Sequence, residues 1–200
     1  MMDGLAALRL LSSRRTNEIG FTTMSTISDW SQVSSRPELD IAIIRPMAKN
    51  SSMALGLALA RPDEGVWAID GDGSLLMNLG SLVTIGALQP KNLVLVIYRN
   101  GTYDTTGGQP VPGLGNVDFG AIARAAGWPS AVDFHDVAAM KSGLDSALHA
   151  AYPLLLTLHV APAGRRPFPE LTSTPKYIQR VQDYLSKRPV AEHPYRPGRD

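Results

Sequence analysis

Two apolar runs, each followed by a polar residue able to hold a cation, constrain this 200-residue chain more than any other feature. Val66-Trp67-Ala68-Ile69 leads into Gly71-Asp72-Gly73-Ser74, and Leu93-Val94-Leu95-Val96-Ile97-Tyr98 leads into Asn100. The 26 residues between Gly73 and Asn100 hold one helix and one strand, which reads as a β-α-β unit. A right-handed crossover between parallel strands puts both strand ends on the same edge of a sheet. Asp72 and Asn100 therefore point into one crevice. A hard carboxylate oxygen beside an amide oxygen suits Mg²⁺ with a diphosphate as co-ligand.

The flanking glycines fit that reading. A diphosphate needs backbone N–H groups aimed at it and no Cβ in the way. Gly71 and Gly73 remove the steric bar, and a helix starting near Ser74 offers free N–H groups and the positive end of its dipole. Taken alone, Gly-Asp-Gly is also an ordinary turn. The combination of strand, Gly-Asp-Gly-Ser, helix, strand and Asn is what sets the chain apart.

On these residues, the segment 68–109 resembles the diphosphate-binding domain of thiamine diphosphate enzymes, whose signature is Gly-Asp-Gly, a spacer of this length and Asn. The wider segment 3–159 resembles the β subunit of sulfopyruvate decarboxylase and the C-terminal half of phosphonopyruvate decarboxylase. The family often has a second Asn where Gly101 stands here. The resemblance implies thiamine diphosphate and Mg²⁺ as cofactors, with Asp72, Asn100 and the main-chain carbonyl of Thr102 as metal ligands. It also implies that the loop with Tyr103 lies by the cofactor. Upstream, related decarboxylases carry Gly-Ser-Met-Gly, whose large apolar residue props the cofactor in a bent shape. The matching stretch is Arg45-Pro46-Met47-Ala48, so the resemblance makes Met47 the prop and the Arg45 backbone carbonyl the acceptor for the aminopyrimidine. Arg45 and Lys49 either suit an anionic substrate or are simply solvated. Met47 has an alternative role as a core methionine filling an irregular gap.

Composition narrows the class. A net charge of +1 argues against a polyanion binder, so no nucleic acid partner is expected. With no cysteine, the chain has no disulfide, thiolate zinc site or cysteine-ligated iron–sulfur cluster, which favours simple decarboxylation over redox chemistry. The apolar stretch 82–98 is broken by Gln89-Pro90-Lys91-Asn92, so no membrane span is expected. Arg9 interrupts the apolar N-terminus, a poor secretory signal, and the expected location is the cytoplasm.

The remaining pattern alternates helices and short apolar strands. Helices are expected over 3–13, 25–32 (capped by Ser25 or Thr26), 51–60, 75–88, 119–126 and 137–151, and strands over 17–23, 41–44, 131–134 and 154–160. A long Gly- and Pro-rich loop covers 101–116. The pattern predicts an α/β fold, a doubly wound parallel sheet with helices on both faces. Helix 51–60 has small and apolar residues and no charge and is expected to be buried, while the nearly uncharged helix 75–88 is expected to be covered on most sides by the sheet and another subunit. Residues 1–160 form the binding domain. Residues 161–200 form a tail with seven of the 15 prolines, one helix over 174–187, and beyond Arg188 a disordered terminus or partner-wrapping arm. None of the four histidines matches a motif of the family, and the sequence indicates no pairing for any of them.

In the family, a glutamate that activates the cofactor belongs to a separate pyrimidine-binding domain. The five glutamates here, Glu18, Glu38, Glu64, Glu170 and Glu192, include none in a second α/β domain. The chain therefore resembles half of an active site, with the catalytic glutamate expected on a partner subunit. Two readings stay open: the diphosphate-binding subunit of a hetero-oligomeric decarboxylase or carboligase acting on a small 2-oxo acid, or a non-catalytic thiamine diphosphate-binding module that regulates or scaffolds.

Overall fold

A computed structural model of the chain describes residues 1–164, 173–191 and 194–197. Its helices are α1 (Gly4–Ser12), α2 (Ser25–Ser31), α3 (Asn50–Ala60), α4 (Asp72–Leu76), α5 (Ser81–Leu88), α6 (Phe119–Ala125), α7 (Val137–Leu148) and α8 (Thr174–Ser186). The strands are β1 (Ile19–Thr23), β2 (Asp40–Ile43), β3 (Val66–Gly71), β4 (Leu93–Arg99), β5 (Thr102–Tyr103), β6 (Gln109–Pro110), β7 (Ser130–Phe134) and β8 (Leu154–His159). Six of the strands form one parallel sheet in the order β2-β1-β3-β4-β8-β7.

Strand alternation sends successive side chains to opposite faces. On β3, Trp67 and Ile69 join Leu8, Trp30 and Leu144 under α1, α2 and α7. Val66 and Ala68 join Ala54, Leu82 and Phe119 under α3, α5 and α6. The sheet is thus doubly wound, and its strands are apolar on both faces because both are covered. Aspartates start three of the helices: Asp3, Asp118 and Asp136 each accept a backbone N–H from three residues on.

The strand order reverses between β1 and β3. In open α/β sheets that reversal, at the carboxyl ends of the strands, opens a crevice. Asn92 helps set where β3 begins. Its buried side-chain amide donates to the carbonyls of Ala58, Arg61 and Glu64 at 3.0, 2.9 and 2.7 Å. These carbonyls belong to the end of α3 and the turn before β3.

Several expectations need correction. The single helix over 75–88 is two helices, α4 and α5, separated by a turn over 77–80. Asn78 and Gly80 disfavour continuous helix there, and the Asn78 side chain bonds Ala48 instead. Helix α3 buries only one side, through Ser51, Ala54, Leu55 and Ala58, while Leu59 is exposed. Neither Ser25 nor Thr26 caps α2. The Thr26 hydroxyl instead accepts from Thr23 N–H and shares its one proton between the Thr23 and Ile69 carbonyls. The loop over 101–116 contains the β5–β6 hairpin. Beyond Arg188, the described residues are tied down. Ala191 N–H donates to Asp63, Tyr195 N–H donates to the Pro62 carbonyl, and the Tyr195 hydroxyl donates to Glu18 at 2.7 Å.

Asn92→Ala should destabilise the chain by roughly 2–3 kcal/mol, since it takes the amide donor from the buried Ala58 and Glu64 carbonyls, while the Arg61 carbonyl keeps the Glu64 N–H. Urea denaturation measures this, and a change under ~0.5 kcal/mol would contradict the role given to Asn92.

Candidate functional site

The carboxyl ends of β1, β3 and β4 enclose a hollow of about 310 Å³, open mouth included. Eight residues singled out in the sequence line it: Met47, Gly71, Asp72, Gly73, Ser74, Asn100, Thr102 and Tyr103. Arg45, the ninth, is exposed and stands outside this lining. Met47 is half-buried at the hollow, which is not the position of a core methionine.

Asp72 is 3% exposed. Its Oδ1 accepts from Gly73 N–H and its Oδ2 from Gly101 N–H, both at 2.9 Å. The second bond joins the end of β3 to the residue after Asn100. Burial pushes the Asp72 carboxyl above its ordinary value, partly offset by those two N–H groups and by Arg99. A cation beside it would favour the ionised form.

Asn100 is oriented by a residue the sequence reading assigned only to the loop. Its Nδ2 donates to Asp104 Oδ2 at 2.7 Å, which leaves the amide oxygen to accept from Thr102 N–H at 3.0 Å. The other Asp104 oxygen accepts from the Thr102 hydroxyl. Asp104 is buried in the structure, and no local sequence pattern distinguishes it from the other polar residues of the loop.

The two glycines differ. A Cβ on Gly71 would meet open space, whereas one on Gly73 would lie 2.3 Å from the Tyr103 ring. Gly73 thus makes room for Tyr103. The helix expected from Ser74 starts at Asp72 and is five residues long, with Gly73 N–H already bonded to Asp72.

Asp70, an acid inside an apolar strand, is fully buried, and neither oxygen makes a hydrogen bond of normal geometry. Burial pushes its carboxyl up to about 7. The nearby Ser74 hydroxyl and Gly71 N–H offset part of the cost, and the Asp72 carboxylate adds to it.

Arg45 and Ala48 have φ of +81° and +66°. These are the positions where the related stretch carries glycine. Such a conformation costs a non-glycine residue on the order of 1–2 kcal/mol. Elsewhere on the edge, two histidines do pair. His135 stacks on His159 at 3.9 Å, and His159 Nε2 lies 3.0 Å from Asp133.

A family model described as "Thiamine pyrophosphate enzyme, C-terminal TPP binding domain" matches residues 18–158. The chain belongs to this family. It is similar to "Sulfopyruvate decarboxylase subunit beta" of Methanocaldococcus jannaschii, at 47% identity over 90 residues, covering 45% of this chain and 47% of that one. It is similar to "Phosphonopyruvate decarboxylase" of Streptomyces viridochromogenes, at 37% identity over 122 residues, covering 61% of this chain and 30% of that one. Among solved structures, a putative thiamin diphosphate-dependent enzyme from Mycobacterium smegmatis superposes with a TM-score of 0.67 at 26% identity, covering 80% of this chain and 32% of that one. The chain thus spans less than half the length of these relatives. In this thiamine pyrophosphate-binding domain, the six-stranded parallel sheet and the hollow at its edge fall within the matched region. No helix among the described residues is long and apolar enough to cross a membrane.

Ala48→Gly should stabilise the chain by roughly 1 kcal/mol, because glycine adopts the left-handed conformation without a Cβ clash; a loss of stability in urea denaturation would contradict that. Asp70 binds its proton more tightly folded than unfolded, so its contribution favours folding below about pH 4 and is lost as pH rises through about 7. Asp70→Asn should therefore stabilise the chain at pH 8 and give little gain at pH 4; an equal gain at both would exclude the titration.

Proposed function

We propose that this chain is the diphosphate-binding subunit of a thiamine diphosphate- and Mg²⁺-dependent 2-oxo acid decarboxylase, with the pyrimidine-binding half supplied by a second polypeptide. The observation that carries the reading is the meeting of the buried Asp72 carboxylate and the Asn100 amide at one hollow, at the ends of β3 and β4, within a thiamine pyrophosphate-binding domain.

The donor set fits Mg²⁺. Asp72 supplies a carboxylate, Asn100 an amide oxygen and Thr102 a main-chain carbonyl, all hard oxygens. Each Asp72 oxygen accepts only one backbone N–H and keeps a second lone pair. Asp104 keeps the Asn100 amide from rotating, as an outer-shell partner does for a metal ligand. The open space at Gly71 leaves a phosphate room to approach the backbone. Thiamine diphosphate, when bound, supplies an electron sink for loss of CO₂ from a 2-oxo acid. This chain's part is to anchor the diphosphate end, present Met47 beneath the cofactor and shield the site.

The need for a partner rests on two observations. No glutamate lines the hollow among the described residues. Leu59 on α3, Met77 in the turn over 77–80, and Val83 and Leu88 on α5 are large apolar side chains exposed in this chain, which a partner subunit could cover. The relatives named as β subunits suggest the same arrangement. The substrate class suggested by these relatives is a 2-oxo acid bearing a second anionic group, sulfonate or phosphonate, and Arg45 and Lys49 are exposed on the loop that carries Met47.

The test is reconstitution with a pyrimidine-domain subunit, assaying CO₂ release from sulfopyruvate and phosphonopyruvate. Activity is expected only in the complex. Asp72→Ala should abolish metal-dependent cofactor binding in calorimetry. Unchanged affinity would remove Asp72 from the metal site, and turnover by this chain alone, with no second polypeptide in the mass spectrum, would overturn the half-site reading.

A further inference from the structure

The loop that carries Met47 is held in an unfavourable shape. Arg45 and Ala48, on either side of the Pro46-Met47 pair, both adopt left-handed backbone conformations without being glycine. Local preference alone would let such a loop relax. Something outside the loop must hold it, and the hydrogen bonds of Ala48 show what does.

Both backbone groups of Ala48 are bonded to the segment that follows the Gly-Asp-Gly turn. Its N–H donates to Ser74 Oγ at 3.0 Å, and its carbonyl accepts from Asn78 Nδ2 at 3.0 Å. The Pro46 carbonyl accepts from the Thr23 hydroxyl at 3.2 Å, at the end of β1. Ala48 is buried, while Asn78 is half-buried in the turn between α4 and α5, where its side chain also reaches Ser52 Oγ at 3.2 Å. The break between α4 and α5 is what lets Asn78 face this loop. In a continuous helix its neighbours would be residues three and four positions away along the same helix.

We infer that Asn78, acting with Ser74, is a positioning residue: it latches the Met47 loop to the segment that carries Asp72, so that the diphosphate anchor and the apolar prop keep a fixed separation. The inference rests on the proposed cofactor reading for its catalytic consequence, but the latch itself does not depend on it. A hydrogen bond from each side of one left-handed residue holds both the register and the direction of the loop. Met47 lines the hollow one residue before that clamp. Releasing the clamp frees the loop without touching Asp72, Asn100 or Thr102. The cost should therefore fall on turnover, which depends on how the cofactor is bent, more than on anchoring of the diphosphate.

The test uses Asn78→Ala in the full chain, with Ser52→Ala as the control that removes the other partner of the same amide. In the unliganded chain, hydrogen exchange read by mass spectrometry over residues 45–49 should speed up at least about tenfold in Asn78→Ala. Exchange over β3 and β4 should be unchanged, and Ser52→Ala should behave as wild type. In the complex with the pyrimidine-domain subunit, Asn78→Ala should lower kcat about tenfold while the KM for thiamine diphosphate changes less than threefold. Unchanged exchange in the loop would show that Asn78 is no latch. Faster exchange with unchanged kcat, or a loss confined to cofactor KM, would show that the latch does not position the prop. If the wild-type complex binds no thiamine diphosphate, the cofactor reading fails and the catalytic part of this inference fails with it, while the exchange result still decides the latch.

Discussion

A buried carboxylate at the end of a central strand organises this molecule. Asp72 lies almost out of water, and its two oxygens are met by two backbone N–H groups, one from its own turn and one from Gly101. Burying a carboxylate is costly, and donors of this kind are what make it tolerable. The bond to Gly101 crosses from β3 to the loop after β4, so the same interaction that accommodates the charge also sets the spacing of the site. Parallel pairing from Val66↔Leu93 to Gly71↔Tyr98 delivers both strand ends to one edge. The crevice exists there because β1 and β3 leave the reversal point in opposite directions along the sheet.

Around that carboxylate the chain relies on buried side-chain amides and hydroxyls to satisfy backbone groups that the sheet leaves over. Asn50 donates to the Ile69 carbonyl, and Thr26 donates to the same atom from the opposite face of the sheet. Asn92 gathers three carbonyls at the start of β3. Thr174, at the start of α8, accepts from Ile44 N–H and donates to the Ala42 carbonyl along the edge strand β2. That contact protects a sheet edge that would otherwise offer unpaired groups. The strand that presents Asp72 is therefore fixed at its beginning by Asn92 and near its end by Asn50 and Thr26, and Asp72 inherits a rigid base.

Asp70 is the counterweight. It is a second acid two residues before the first, buried and poorly bonded, with its carboxyl pushed up to about 7 by that burial. Arg45 and Ala48 add backbone strain on the facing loop. Both liabilities sit beside the hollow, while the far edge carries the well-bonded Arg61–Asp63 pair and the Tyr195–Glu18 contact. Backbone strain of this kind beside a site persists only where the surrounding structure imposes it.

The α/β class, the parallel sheet and the shared edge for Asp72 and Asn100 were legible in the sequence. They depend on short-range signals: apolar runs of strand length, a glycine-flanked acid, and a spacer that admits one helix and one strand. Those signals act between near neighbours, so one chain suffices to read them. The division of the helix after Asp72 was less visible, because Leu82 and Ile85 continue an apolar pattern past Asn78 and Gly80. The rest was decided by which loops meet at the sheet edge. Asp72 finds Gly101 29 residues away, Ala48 finds Ser74 26 residues away and Asn78 30 residues away, and Gly73 proves to be needed for the Tyr103 ring. None of these partners has a periodicity or a local propensity that marks it. Hydrogen bonds between distant loops are selected only once the packed sheet has brought the loops within about 3 Å of each other, and so the fine geometry of the site belongs to the tertiary structure.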